Sequence, residues 1–141
     1  DLEVAHAELT ASSIKAVEVP SLVDELPILA LAACCARGKT RVRGAGELRV
    51  KESDRLQSVR DALWRIGGHI EVEDDGWFIR GVPTRLRGGS IDPRGDHRVA
   101  MLGAIAGLYS EEGVTIEDPA CIDVSFPGFR ALIEAATAVR R

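Results

Sequence analysis

Two stretches of this 141-residue chain are apolar all the way round a helix: Leu26 to Ala36 (LPILALAACCA) and Val99 to Leu108 (VAMLGAIAGL). A helix at a protein surface carries a polar stripe opposite its apolar one, and neither stretch has such a stripe. Both are therefore expected to be helices buried on every side. Both are also too short to span a membrane, which takes roughly 18 apolar residues or more. The length fits one domain with a real core. With 45% hydrophobic and 28% charged residues the chain is neither disordered nor fibrous. A net charge of -4 argues against a nonspecific nucleic-acid binder, whose footprint is basic. What remains is small-molecule chemistry or protein contact, with no membrane and no nucleic acid among the expected partners.

The three cysteines include the adjacent pair Cys34 and Cys35 and show no metal spacing. Adjacent half-cystines rarely bridge each other, so reduced, buried thiols and a cytoplasmic location are expected. His6, His69 and His97 are scattered without an H-x-x-H pattern, and no metal is expected. No signal or transit peptide is visible, and a chain opening on Asp1 reads as a piece of a longer protein. Arginines make up 15 of the 18 basic residues, which fits repeated recognition of carboxylates or phosphates, although as a global statistic genomic base composition is the better account.

Around these helices the pattern predicts strands at Ser13 to Val19, Thr40 to Arg43, His69 to Val72, Trp77 to Arg80 and Val114 to Glu117. The third and fourth form a hairpin. Leu56, Val59, Leu63 and Ile66 recur at helical spacing, marking an amphipathic helix from Asp54 to Ile66 that Gly67 and Gly68 stop. Another amphipathic helix covers Gly128 to Arg140. A shift of about 75 residues superimposes Leu31 on Ala106, Gly38 on Gly113 and Thr40 on Thr115, the pattern of one supersecondary unit present twice. Gly81 to Gly89 is a loop-like joint between the copies.

Charge gathers at three helix starts: VDELP at 23–27, KESDR at 51–55 and GDHR at 95–98. Asp24, Ser53 and Asp96 are the expected N-caps. Arg55 and Arg98 each follow a cap by two residues, at a helix end whose dipole already favours negative charge. A cation there is locally unfavourable unless something anionic binds it, so each start is a candidate anion site. Each is open to a plainer reading: Asp24 and Asp96 as simple caps, the Lys51 to Arg55 cluster as a solvated helix start, His97 as a residue that orients its neighbours.

The strings VDELPILALAA, ELRVKESDRL, GDHRVAM and DPACIDVSFPGF together resemble the C-terminal domain of the 3-phosphoshikimate 1-carboxyvinyltransferase (5-enolpyruvylshikimate-3-phosphate synthase) family. The resemblance runs from about Leu2 to the end. It implies an α+β fold, an alpha-beta prism assembled inside out from about two βαβαββ units, with buried helices and outer sheets. The chain would be part of the C-terminal lobe of a two-lobed enzyme, residues 1–80 forming a first unit and 81–141 a second. The N-terminal lobe would be a missing partner.

The resemblance also implies a reaction: transfer of the enolpyruvyl group of phosphoenolpyruvate to the 5-hydroxyl of shikimate 3-phosphate, with release of phosphate and no cofactor. By that likeness Asp24 contacts the shikimate hydroxyls and accepts a proton. Glu52 transfers a proton at the methylene carbon, and Lys51 reaches the shikimate 3-phosphate hydroxyl region. Arg55 and Arg98 clamp phosphoenolpyruvate, with Asp96 and His97 in support. Two positions depart from the pattern. Val124 stands where some relatives carry a lysine, and Glu47 where some carry asparagine. An isolated fragment would be inactive. The alternatives are a non-catalytic anion- or protein-binding module of the same fold and the related UDP-N-acetylglucosamine enolpyruvyl transferase.

Overall fold

A computed structural model of the chain describes residues 3–138. In chain order the elements are β1 (Ser13–Ile14), α1 (Val19–Leu22), α2 (Leu26–Cys34), β2 (Gly38–Val42), a 3-10 turn (Gly46–Val50), α3 (Arg55–Arg65), β3 (His69–Glu73) and β4 (Gly76–Gly81). There follow β5 (Gly89–Ile91), α4 (His97–Leu108), β6 (Val114–Ile116), α5 (Cys121–Ser125) and α6 (Phe129–Ala138). The last residues of the expected C-terminal helix lie outside the described residues.

Strands β1, β2, β4 and β3 form one sheet in that order, and β5 and β6 pair separately. The β1–β2 pair is parallel, with Ser13 opposite Arg41, and so is β5–β6, with Gly89 opposite Val114. Each parallel pair encloses an apolar helix, α2 in the first case and α4 in the second, and each is followed by another helix, α3 and α5–α6. The first set then closes with the β3–β4 hairpin.

Alternation decides which strand face turns inward. Val42, Ile70, Trp77 and Ile79 are buried against the helices, whereas Lys39, Arg41, His69 and Arg80 face out. Trp77 is fully enclosed, and its indole N–H donates to the Leu56 carbonyl at 2.9 Å, so the large ring is buried without leaving its polar atom unpaired. Helices α2, α3 and α4 pack on one another; α2 and α3 also meet the large sheet, and α4 meets β6. Gly103 allows α4 to approach β5, since a Cβ there would come within 2.1 Å of Ile91 Cδ1. Burial pushes the Cys34 thiol up to about 12, and all three cysteines are free.

Three expectations change. The strand expected from Ser13 to Val19 stops at Ile14, because the backbone turns at Lys15 to Glu18 and Pro20 then opens the short helix α1. Strand β5 was not anticipated at all. The apolar helices are not buried on every side: Ile28 and Leu29 of α2 are 39% and 36% exposed, and Leu108 of α4 is exposed as well. Beside them Leu31, Ala32, Cys35, Pro83, Ile105 and Tyr109 line an open cleft of about 600 Å³. No helix among the described residues is long and apolar enough to cross a membrane.

Candidate active site

The three charged helix starts converge, and each is capped differently. At α4 Asp96 caps as expected, accepting the Arg98 N–H at 3.0 Å. At α3 the cap is Asp54, which accepts from Gln57 N at 3.2 Å, and not Ser53. Ser53 Oγ is drawn away to Asp96 Oδ2, 3.0 Å distant. At α2 the cap position falls on Glu25, without any side-chain cap bond. Asp24 instead points its carboxylate at two guanidinium groups, as an ion pair with each.

Arg55 is at the centre of the cluster. As the first residue of α3 it sits at the positive end of the helix dipole, yet it is only 1% exposed. Carboxylates make that position tolerable. Arg55 Nε and Nη2 donate to Asp96 Oδ2 and Oδ1 at 2.9 and 3.2 Å, a two-pronged pairing with a carboxylate that is itself fully buried. Nη2 also donates to Glu52 Oε2. Nη1 is buried without a hydrogen-bond acceptor; the Asp24 carboxylate stands 3.5 Å away. Burial acts to raise the Asp96 carboxyl, but the Arg55 bonds and charge, the Ser53 hydroxyl and the Arg98 amide outweigh it and hold the group below the ordinary carboxylate value.

Arg98 is more open to solvent, at 32% exposed. Its Nη1 donates to the Asp24 carbonyl at 3.0 Å and its Nη2 lies 3.2 Å from Asp24 Oδ2. Asp24 thus bridges both arginines. His97 Nδ1 stands 3.9 Å from Glu52 Oε1. Six of the residues expected from the sequence, Asp24, Glu52, Arg55, Asp96, His97 and Arg98, are therefore in one cluster. Lys51 is paired apart from it, its Nζ donating to Glu47 Oε1 at 2.7 Å.

The helix starts do not present bare cations to solvent. Each cation is already paired with a carboxylate of the chain, Asp96 fixed and buried, Asp24, Glu52 and Glu47 more exposed. Sequence reasoning named Glu47 and Ser53 without finding their partners, and it did not name Arg49. Glu47 holds Lys51, and its four-residue spacing from that lysine was a legible signal. Ser53 serves Asp96 instead of capping a helix. Arg49 ties the segment before Lys51 to the β3–β4 hairpin, donating to the Asp74 carbonyl at 3.1 Å and to Asp54 Oδ2 at 3.1 Å. Val124 lies exposed on α5.

The sequence that carries this cluster matches a known family along nearly the whole chain. The sequence model of EPSP synthase (3-phosphoshikimate 1-carboxyvinyltransferase) fits residues 1–133. The chain belongs to the EPSP synthase family. It is 50% identical over 129 residues to the 3-phosphoshikimate 1-carboxyvinyltransferase of Desulforudis audaxviator, covering 92% of this chain and 30% of that protein. The Gloeobacter violaceus enzyme of the same name is 51% identical over 129 residues, with the same coverage. A solved EPSP synthase from Acinetobacter baumannii superimposes with a TM-score of 0.86 at 38% identity, again over 92% of this chain and 30% of the other. The α+β prism with helices inside and sheets outside is therefore the fold of this chain. The chain spans about 30% of the length of the curated EPSP synthases it matches.

Proposed function

We propose that the protein to which this chain belongs transfers the enolpyruvyl group of phosphoenolpyruvate to the 5-hydroxyl of shikimate 3-phosphate, and that the chain forms part of its C-terminal lobe, with units at about 1–80 and 81–141. The names of the relatives favour this reading over the nucleotide-sugar transferase and over a non-catalytic module. The observation that carries it is the orphaned Arg55 Nη1: a buried guanidinium N–H without an acceptor, inside a cluster with a second arginine. An unmade bond at a buried donor is costly, and the phosphate or carboxylate of phosphoenolpyruvate supplies the acceptor.

The chemistry follows from exchange of partners. Anionic phosphoenolpyruvate takes Arg55 and Arg98 from the exposed carboxylates Asp24 and Glu52, while Asp96 keeps Arg55 in place. Asp24, released toward the second substrate, accepts the 5-hydroxyl proton as that oxygen attacks C2 of phosphoenolpyruvate. Glu52, entering the cycle protonated once Arg55 has been drawn to phosphoenolpyruvate, delivers that proton to the methylene carbon, giving a tetrahedral intermediate. As the bond from C2 to the phosphate oxygen breaks, Glu52 takes back one methyl proton, Asp24 gives its proton to the departing phosphate, and the double bond re-forms as the enol ether of the product. The sequence closes without a change of oxidation state, so it requires no redox cofactor. Lys51, freed from Glu47, reaches the shikimate 3-phosphate. The remainder of the protein supplies the other contacts to both anions and covers the apolar cleft beside α2 and α4.

The test is phosphate release by the full-length protein supplied with both substrates. Asp24→Ala and Glu52→Ala should each lower kcat by about 10²- to 10⁴-fold, the range for a lost general acid or base. Near-normal turnover in both would remove these carboxylates from the mechanism. The 141-residue chain alone should release no phosphate.

A further inference from the structure

The turn that delivers Asp96 and Arg98 is strained. Arg94 has φ 52°, a left-handed conformation unfavourable for a residue with a Cβ, and Gly95 follows at φ 75°. The turn is closed by the Asp96 N–H donating to the Pro93 carbonyl at 2.9 Å, and Asp92 Oδ1 accepts the Arg94 N–H at 2.8 Å. Glycine at position 94 would relieve the backbone. What arginine adds is its side chain. Arg94 Nη2 donates to Asp61 Oδ2 at 2.8 Å, a contact between residues 33 apart.

Asp61 is well prepared for that bond. Its other oxygen accepts from Gln57 Nε2 at 2.8 Å and from Arg60 Nη1 at 3.1 Å, so the carboxylate is fixed on α3 from both sides. Burial acts to raise this carboxyl, and the bonds from Gln57, Arg60 and Arg94 prevail and lower it. Asp61 follows Arg55 by six residues on the same helix, about 9 Å along the axis at 1.5 Å per residue. The turn is thus tied to α3 at two separated points, Asp96 to Arg55 and Arg94 to Asp61. One tie leaves a pivot; two fix the direction in which α4 begins.

We infer that Asp61 and Arg94 are positioning residues that hold the Arg55–Arg98 pair at the spacing phosphoenolpyruvate requires, an inference that rests on the function proposed above. Neither residue reaches the cluster itself, so the pair acts through the turn and not on the substrate. Loss of the tie loosens the anion clamp and leaves the proton-transfer groups where they are.

The experiment uses the full-length protein carrying Asp61→Asn, Arg94→Gly, both together, or Arg94→Lys. Each of the first two should raise KM for phosphoenolpyruvate about threefold to fivefold, the upper range for a partly exposed ion pair, with kcat within about twofold of wild type. The double variant should be no worse than either single one, and Arg94→Lys should recover most of the loss. Hydrogen exchange at the Arg98 amide should accelerate in the single variants while the β3–β4 amides stay as in wild type. Single effects that multiply in the double variant, or an unmoved KM together with unmoved Arg98 exchange, would overturn the inference. A wild-type protein that fails to release phosphate overturns the proposed function instead, and the exchange measurement still decides the tie.

Discussion

The starts of α3 and α4 look alike in sequence and behave differently in the structure. Each places an arginine in the first turn, against the helix dipole. Arg55 is enclosed and doubly bonded to Asp96, which is wholly buried. Arg98 keeps a third of its side chain in solvent and leans on Asp24, itself half exposed. The difference comes from which helix supplies the cap. Asp96 caps its own helix through one oxygen and grips the arginine of the other helix through both, so the two starts share a single carboxylate. Similar local motifs are therefore held differently: Arg55 is locked to a buried carboxylate, and Arg98 rests on an exposed one.

The largest expected effect breaks the framework half. Arg55→Ala leaves Asp96 as a buried carboxylate without its cation, and urea unfolding should show a loss of about 3 to 5 kcal/mol. A loss under about 1 kcal/mol would mean that Arg55 is no more structural than Arg98.

Next comes the pH dependence of the shared carboxylate. The folded Asp96 carboxyl lies below its ordinary value of 3.8, so its stabilisation is complete above that value and disappears as pH falls through the lower folded one. The stability gap between wild type and Asp96→Asn should be widest at neutral pH and shrink below about pH 4, read from unfolding midpoints. A gap constant from neutral to acid pH would deny the ionised pairing.

The smallest change in stability sharpens the other half. Arg98→Ala should cost under about 1 kcal/mol in unfolding, as exposed pairs do. In the full-length protein the same change should weaken phosphoenolpyruvate binding by about 1.5 to 3 kcal/mol, the range for a hydrogen bond to a charged group. Equal losses in folding and binding would erase the contrast with Arg55.

The amphipathic spacing of Leu56, Val59 and Leu63 was legible because their burial on the inner face of α3 depends on local periodicity. The hairpin of β3 and β4 was legible for the same reason, with alternation and a turn close together. Strand β5 was not, since GSI at 89–91 has no alternation of its own and pairs only because β6 lies beside it. At the site, Asp24, Glu52, Arg55 and Arg98 could be named from the strings that carry them. Their partners could not. Whether Ser53 or Asp54 caps α3 depends on Asp96, 43 residues from Ser53, competing for the serine hydroxyl.

By itself the sequence determined the local elements, the apolar character of α2 and α4, the family and the residue types at the three helix starts. The family follows from the resemblance of the strings, and the local elements follow from neighbours a few positions apart, where backbone geometry and side-chain period act directly. Only the tertiary structure decided that Asp96 serves two helices, that Asp24 bridges two arginines instead of capping, and that Arg94 reaches Asp61. Each is a contact between segments brought together by packing. The strength of a charged pair depends on the burial and the competing partners it finds there, and neither is written in local order.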